Sequence, residues 1–309
     1  MNNFKEKFEK MRVAGNLAAR TLDMLTENIK EGVSTDYIDK LGYEFIRDNG
    51  GHSAPLYYRG FTKSLCTSLN HVVCHGIPSD RILRDGDAVN VDVTAIVDEH
   101  YGDTSRMFCI GKTPIKLINL IDATYESMIR AIKILKPGTK LGDIGHEIQS
   151  YVEDKGYSVV RDFCGHGIST TFHEPPNILH YGNKNSGSEL KPGIKLGDIG
   201  HEIQSFIEEK GYSVVRDFCG HGISTTFHEP PNILHYGSKN SGMDLKPGMT
   251  FTIEPMINAG KYDVKMLNDG WTAVTKDKSL SAQFEHTLGI TENGYEIFTE
   301  SAKGFSKPP

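Results

Sequence analysis

The chain has 309 residues, of which 38% are hydrophobic and 24% charged, and its formal net charge is −6. This composition is typical of a globular protein, and the negative charge disfavours a broad nucleic-acid surface. The sequence has no run of about 18 apolar residues and no apolar signal core, so we expect neither a membrane span nor secretion. Five scattered cysteines without a CxxC pair predict reduced thiols and a cytoplasmic location.

The first 135 residues predict helices alternating with short strands. Apolar residues recur at three-to-four spacing in the helical segments, and Ser34-Thr35 precede the second helix. In chain order we predict helices at 4–30 and 36–49, strands at 64–69, 71–75, 88–97 and 101–110, and a helix at 117–135.

The next stretch is written twice: residues 136–190 recur as residues 191–245, with 48 of 55 positions identical. Each copy predicts a helix, a strand, a histidine between two glycines and a polar loop. In the first copy these are helix 141–155, strand 158–164 and loop 180–187. Two units without a third do not make a solenoid, and removing one copy leaves 254 residues, a single-domain length. We therefore expect one domain over residues 1–300 with one copy displaced, and a flexible tail over 301–309.

Short strands follow the second copy, at 249–257, 271–274, 283–290 and 296–299. Both halves of the chain place helices before hairpin-like strands. This order predicts the α+β class with antiparallel sheets and a two-fold internal architecture.

Four carboxylates lie on polar faces of the predicted strands: Asp92, Asp103, Glu254 and Glu285. Alternation around Asp92, for example, places Val91 and Val93 on the opposite face. Taken singly, such a carboxylate indicates a solvated residue or a buried ion pair, because an unpaired charge is costly there. Four together predict a bound cation. Oxygen ligands with one imidazole suit Mn, Fe, Co or Zn in a two-metal site, with the ions about 3.5–4 Å apart.

Histidines complete this ligand set. His75 precedes a glycine and, taken alone, indicates a structural hydrogen-bonded histidine. His166 lies between two glycines that clear space for an ion, and His173 precedes Glu-Pro-Pro, which predicts a rigid turn. The second copy offers the equivalent His221 and His228.

The order of these candidate residues along the chain resembles that of type I methionine aminopeptidases, and several segments of the chain agree closely with that family. The segments are Lys63–Ser68, Asn70–Pro78, Gly102–Ser105 and Gly248–Met256. The resemblance covers nearly the whole chain apart from the extra repeat copy and the tail. It implies the pita-bread fold, an antiparallel curved sheet with helices on its outer face and pseudo-two-fold halves. It also implies removal of the initiator methionine from nascent proteins with a small second residue.

The resemblance further implies a role for each candidate residue. The ligands of two divalent ions (Co, Mn, Fe or Zn) would be Asp92, Asp103, His166 or its repeat alternate His221, Glu254 and Glu285. Glu254 would also move protons, while His75 and His173 (alternate His228) would contact the scissile amide during hydroxide attack. The methionine pocket would consist of Tyr58, Phe61, Cys66, Phe172 (alternate Phe227), Trp271 and His75. The implied partners are methionyl peptides of nascent chains, with transient ribosome contact, no membrane and a monomeric enzyme.

The duplication leaves the choice of copy open, since both copies keep every functional residue. Loop-closure scaling favours docking of the first copy by roughly 1.7 kcal/mol, and the polar loop 183–187 should tolerate an insertion. Against this, the second copy is nearer in sequence to Glu254. We favour His166 and His173. Two other functions stay open: a catalytically impaired protein of this fold that binds peptides or ribosomes, and a proline dipeptidase, which Cys66 and Trp271 disfavour.

Overall fold

The computed structural model describes residues 3–135, 141–181, 220–222, 229–233 and 247–306. Its helices are α1 (Asn3–Thr26), α2 (Thr35–Asp48), α3 (Ile115–Lys133) and α4 (Leu141–Asp154), and a 3-10 turn spans Tyr58–Gly60. Its strands are β1 (His52–Ser53), β2 (Cys66–Leu69), β3 (Val72–Cys74), β4 (Ala88–Val97), β5 (His100–Cys109), β6 (Ser158–Val159), β7 (Gly165–Gly167), β8 (Glu174–Ile178), β9 (Gly220–Gly222), β10 (Glu229–Ile233), β11 (Thr250–Ile253), β12 (Met256–Asn258), β13 (Val264–Met266), β14 (Ala273–Thr275), β15 (Ser281–Gln283), β16 (Glu285–Ile290) and β17 (Tyr295–Ile297).

Among the described residues, the main sheet has nine strands in the order β1-β4-β5-β16-β11-β7-β8, with β17 beside β16 and β2 beside β4. The described strands also form two three-stranded sheets, β15-β12-β6 and β13-β14-β3. Neighbouring strands pair antiparallel, and β4 and β5 form the longest ladder, from Ala88↔Cys109 to Val97↔His100. The predicted α+β class with antiparallel sheets is therefore confirmed.

Two helix pairs cover the sheet and define two apolar cores. In the first, Leu17 and Leu22 of α1 pack with Val91 and Val93 of β4, and both valines are fully buried. The second core packs α3 and α4 against β11 and β16. Burial of apolar surface drives this packing and commits one face of β4 to the helices, so its polar residues must take the other face. None of the described helices combines the length and apolarity that crossing a bilayer requires.

The first repeat copy is built into the main sheet. Its β7 pairs with β11, and its β8 pairs with β7 at the end of the strand order. The described strands of the second copy, β9 and β10, pair with each other in a separate two-stranded sheet, and β9 contacts β8. Most of the predicted loop 180–187 and the predicted helix of the second copy lie outside the described residues.

One predicted strand is shorter than expected, and two are divided because their halves join different sheets. In the segment 158–164 only Ser158–Val159 forms a strand, β6, which pairs with β12; β7 begins after the segment, at Gly165, and pairs with β11. The segment 249–257 divides at Glu254-Pro255, where proline has no N–H to donate to a ladder. The segment 283–290 divides at Phe284, because β15 pairs with β12 and β16 pairs with β5 and β11.

One further prediction needs correction. The Glu-Pro-Pro segment after His173 is not a turn, since residues 174–178 form strand β8 at the end of the sheet, where a missing N–H is tolerated. The start of the predicted tail, residues 301–309, contacts the rest of the chain, and its flexibility stays a prediction. Ser301 is buried, its Oγ donates to Asp23 Oδ2 (2.9 Å), and Phe305 N donates to Ser301 Oγ (3.1 Å). Residues 307–309 lie outside the described part.

Candidate metal centre and substrate cleft

Five neighbouring strands of the main sheet carry the candidate metal ligands. The ligands are Asp92 on β4, Asp103 on β5, Glu285 on β16, Glu254 directly after β11 and His166 on β7. These strands follow one another in the order β4-β5-β16-β11-β7. Residues far apart in the chain are therefore neighbours across a single sheet.

The strand register brings the carboxylates together around Ser105. Ser105 of β5 pairs with Asp92 on one side and with Glu285 on the other. Asp103 lies two residues before Ser105, so the pleat places it on the same face. Thr94, the register partner of Asp103, donates its hydroxyl to Asp103 Oδ1 (2.7 Å) and fixes that carboxylate.

His166 approaches the carboxylates from β7, at the far end of this row of strands. Its Nε2 is 3.8 Å from Asp103 Oδ2 and 3.5 Å from Glu254 Oε1. One ligand atom each from Asp103, His166 and Glu285 lie within 4.8 Å of one another. Thr252 ties the two strands together, because its hydroxyl accepts from His166 N (2.8 Å) and donates to Glu254 Oε1 (2.8 Å). The arrangement can hold a cation between buried carboxylates and one imidazole.

The electrostatics of this cluster favour a bound cation. Burial raises the pKa of all four carboxyl groups, and the charge of Asp92 raises the pKa of Asp103 further. For Glu285, the charges of Asp103 and Glu254 add to the effect of burial on its pKa. Asp92 Oδ1 is buried and has no hydrogen-bond partner among the described residues. A divalent cation relieves both the repulsion and the orphaned oxygen, so these residues fit the metal that the donor set indicates.

His75 lies beside this cluster in a strained backbone conformation. Its φ is 55°, in the left-handed region, where non-glycine residues store strain that is common at functional sites. The next residue must be glycine, since a Cβ on Gly76 would lie 2.2 Å from Thr67 O. The ring centroid of His75 is 6.4 Å from that of Trp271, and burial lowers the pKa of His75 to about 4. His75 is therefore a neutral imidazole at neutral pH.

His173 is the second imidazole next to the candidate ligands. Its ring centroid is 4.2 Å from that of His166, and Tyr58 Oη is 3.4 Å from its Nδ1. Burial lowers the pKa of His173 well below its usual value, and the charges of His166, His75 and Arg59 lower it further. A neutral His173 can donate or accept one hydrogen bond towards the cleft.

Aromatic side chains predicted for the methionine pocket contact one another in two pairs. The ring centroids of Phe61 and Trp271 are 5.2 Å apart, and those of Tyr58 and Phe172 are 5.3 Å apart. Cys66 is buried and pairs in register with Asp92, which links it to the carboxylate cluster. These aromatic residues adjoin the metal-ligand candidates, since the ring centroids of Phe172 and His166 are 6.2 Å apart.

The sequence analysis missed two aromatic neighbours of these residues. Phe163 lies edge-on to His75 at 5.6 Å, and Tyr101 stacks on Phe172 at 5.6 Å with an interplanar angle of 8°. Phe163 precedes the Cys-Gly-His-Gly segment, so its position was a usable signal. Tyr101 carried none, because its contact with Phe172 joins β5 to the loop before β8.

The structure also reveals hydroxyl partners of the ligands. Thr94 and Thr252 each lie two residues from a carboxylate on the same polar strand face, a spacing that alternation alone could have flagged.

The repeat alternates of the site residues belong to the second copy. His221 lies in β9, whose side chains are not described, and Phe227 and His228 lie outside the described residues.

The sequence profile of metallopeptidase family M24 matches residues 9–191 and residues 182–292 of the chain. The first match contains the first repeat copy and the second match contains the second copy. The chain belongs to metallopeptidase family M24. The members of this family are metallopeptidases, which agrees with the donor set described above.

Individual M24 relatives match the chain over most of its length. The methionine aminopeptidase of Rickettsia prowazekii (strain Madrid E) is 45% identical, and the match covers 99% of this chain and 97% of that protein. The methionine aminopeptidase of Escherichia coli (strain K12) is 44% identical over 95% of this chain and 91% of that protein. A crystal structure of methionine aminopeptidase from Rickettsia prowazekii has a TM-score of 0.77, at 45% identity, covering 96% of this chain and 98% of that chain. The pita-bread fold is confirmed.

Proposed function

We propose that this chain is a metal-dependent methionine aminopeptidase, which removes the N-terminal methionine of peptides with a small second residue. Full-length relatives of that name at 44–45% identity support the activity. The observation that carries it is the convergence of Asp103, His166 and Glu285, whose ligand atoms lie within 4.8 Å of one another. If these carboxylates were only solvated strand residues, nothing would call for an imidazole within 4.8 Å of them.

The metal ligands in this proposal are Asp92, Asp103, His166, Glu254 and Glu285. Carboxylate and imidazole donors accept Mn, Fe, Co or Zn. When bound, a pair of divalent ions activates water as a nucleophile at neutral pH and polarises the scissile carbonyl group. The protein holds these donors rigidly, because Thr94 and Thr252 hydrogen-bond Asp103 and Glu254.

The proton transfers are assigned to Glu254 and the two neutral imidazoles. Glu254 takes the proton of the attacking water and passes it to the leaving amide nitrogen, so that the amine departs neutral. Tyr58 Oη faces Nδ1 of His173, which leaves Nε2 for the substrate. His75 and His173 hydrogen-bond the scissile amide and stabilise the negative charge that develops on its oxygen.

The methionine side chain is assigned to the space between the aromatic pairs. Phe61 and Trp271 form one wall, Tyr58 and Phe172 form another, and Cys66 lies towards Asp92. Aromatic edges make favourable contacts with a thioether sulfur. Because the metal-ligand cluster adjoins this pocket, a bound methionine would present its free amino group there, and cleavage would be confined to the first peptide bond.

The proposal also covers the arrangement of the chain. Residues 1–300 form one catalytic domain, in which the first copy supplies His166 and His173 and the second copy is displaced. The substrates are the N-termini of nascent chains in the cytoplasm. Transient contact with the ribosome and a monomeric enzyme stay predictions.

Turnover of a Met-Ala-Ser peptide with added Mn²⁺ or Co²⁺ tests the activity. We expect release of free methionine that a chelator abolishes. The variants His166→Ala and His221→Ala, made separately, test the choice of copy: the first should lose most turnover and the second none. Absence of turnover with every metal would overturn the enzyme assignment. Retained binding of the peptide would then identify the chain as a non-cutting peptide-binding protein.

A further inference from the structure

The pairing between β7 and β11 is short, and side chains replace the backbone ladder beyond it. Phe251↔Gly167 is the register pair between these strands, and Ile168 N donates to Thr250 O (3.0 Å). One step along β7, His166 N donates to the Thr252 hydroxyl instead (2.8 Å). One step further, Gly165 N donates to the imidazole of His180 (3.2 Å). The amides next to the candidate ligand His166 thus depend on two side chains.

One nitrogen of His180 accepts hydrogen bonds from both strand segments. Its Nε2 accepts from Gly165 N and also from Glu254 N, each at 3.2 Å. Gly165 directly precedes His166, and Glu254 is itself a candidate ligand. A buried backbone N–H has to be hydrogen-bonded, so these two amides bind the strands to His180. Small movements of its ring would be transmitted to both ligands.

The state of the imidazole follows from these contacts. Because Nε2 accepts two hydrogen bonds, the ring proton must reside on Nδ1. His180 is fully buried, and Nδ1 has no hydrogen-bond partner among the described residues. An unsatisfied buried donor is costly and calls for an explanation. The two hydrogen bonds that Nε2 accepts provide this explanation, because they keep the ring proton on Nδ1.

The position of His180 is itself fixed by packing. Ile178, two residues earlier, is fully buried in the core formed with α3 and α4. The backbone of Tyr181 lies so close to α4 that a Cβ on Gly145 would be 2.2 Å from Tyr181 O. The guanidinium of Arg161 lies 5.1 Å from the centre of the Tyr181 ring. The imidazole is held between two anchored residues.

We propose that His180 is a positioning residue, which sets the distance between His166 and Glu254 through the amides of Gly165 and Glu254. This role rests on the proposed function, because it matters only if His166 and Glu254 bind metal. Residues that orient metal ligands without touching the metal typically change metal affinity or activity 10- to 100-fold when replaced. The Thr252 hydroxyl is the adjacent link between the same two residues.

The repeat provides an internal control for this proposal. His235 occupies the position of His180 in the second copy, within the same Ile-Leu-His-Tyr sequence. A replacement at His235 therefore changes the same local sequence in the same molecule. If the first copy forms the site, only the replacement at His180 should affect it.

The test compares variants that differ in acceptor position. Glutamine can place an acceptor about as far from the backbone as Nε2, whereas the asparagine side chain ends near the position of Nδ1. The variants are His180→Gln, His180→Asn, His180→Leu and His235→Leu. Mn²⁺ affinity is measured by titration calorimetry, and kcat and KM are measured with a Met-Ala-Ser peptide.

We expect His180→Leu and His180→Asn to bind Mn²⁺ 10- to 100-fold more weakly, with a lower kcat and little change in KM. His180→Gln should retain most of the affinity, and His235→Leu should match the unmodified chain. Should His180→Leu fail to fold, the Gln and Asn pair decides: equal affinities in those two would overturn the proposal. Loss in His235→Leu would also overturn it. An unmodified chain that neither binds Mn²⁺ nor turns over peptide would instead refute the proposed function.

Discussion

Deleting the second repeat copy, residues 191–245, should leave an active and more stable enzyme. All the residues that we assign to the site lie outside this segment. The described strands of the segment, β9 and β10, pair with each other. The connection from Tyr181 to Pro247 now spans about 65 residues, and the deletion shortens it to about 10. Loop-closure scaling gives a gain of at most about 1.7 kcal/mol in the free energy of unfolding. For a chain of this size, that corresponds to a rise of about 3–7 °C in melting temperature.

The measurements are thermal melting and turnover of a Met-Ala-Ser peptide by the deletion variant. Deleting residues 136–190 instead is the matched control, because it leaves one unit of the same length that differs at seven positions. Both variants should be active, since either remaining unit contains the same histidines. A loss of turnover in the chain without residues 191–245, with activity retained in the control, would refute the docking of the first copy. A fall in melting temperature would refute the loop-closure argument.

Two further predictions concern stability. Asp23→Ala should lower the free energy of unfolding by about 3–5 kcal/mol, because Arg106, whose Nη2 lies 2.9 Å from Asp23 Oδ1, would remain as an unpaired buried charge. The exposed ion pair Lys10–Glu6 is the control: Lys10→Ala should lower the free energy of unfolding by less than about 1 kcal/mol. Both variants are measured by urea titration, and equal losses in free energy of unfolding would contradict the reasoning. Chelation should abolish turnover and lower stability by about 2.7 kcal/mol relative to metal at 100 times its Kd, and an unchanged melting temperature would contradict a metal centre in the carboxylate cluster.

Local pattern was enough to predict which face of β4 carries the candidate ligand. Val91 and Val93 are fully buried against the helices, and Asp92 lies on the opposite face, as alternation requires. The direction of a strand side chain depends only on its position in the strand. The helix boundaries were predicted within a few residues for the same reason, because periodicity and capping are local.

Features that depend on distant partners could not be predicted. The role of His180 is an example: its two donors are 15 and 74 residues away, and the surrounding Ile-Leu-His-Tyr sequence contains no sign of them. The positive φ of His75 is another, since it accompanies the close approach of Gly76 to Thr67, nine residues earlier in the chain. Strand β8 was missed because prolines disfavour strands in general, and only the tertiary fold shows that this strand lies at the end of a sheet.

With the element bounds of the structure, the lengths of the connections favour the first copy less strongly than the sequence analysis predicted. Helix α3 ends at Lys133 and α4 begins at Leu141, so docking the second copy would lengthen that connection from about 7 to about 62 residues. The same exchange would shorten the connection before β11 from about 65 to about 10. These two terms leave a preference of only about 0.3 kcal/mol for the first copy, compared with the roughly 1.7 kcal/mol expected beforehand. Packing must therefore contribute most of the preference.

Among the described residues, Val152 is a buried position at which the two copies differ. It is fully buried in the core of α3 and α4, and the second copy has Ile207 at this position. An extra methylene in a close-packed core costs about 1–3 kcal/mol, so the second copy should occupy the site in about 0.5–10% of molecules. His166→Ala should keep that fraction of turnover.

Adding Val152→Ile to His166→Ala tests this explanation. The substitution gives both copies the same buried side chain, so the remaining preference falls to about 0.3 kcal/mol and residual turnover should rise to about a third of that of the unmodified chain. The further substitution His221→Ala should remove the residual turnover, because no second histidine is then available. Two results would show that the two copies do not exchange. One is residual turnover that does not rise when Val152→Ile is added. The other is residual turnover that persists in the His166→Ala and His221→Ala double variant.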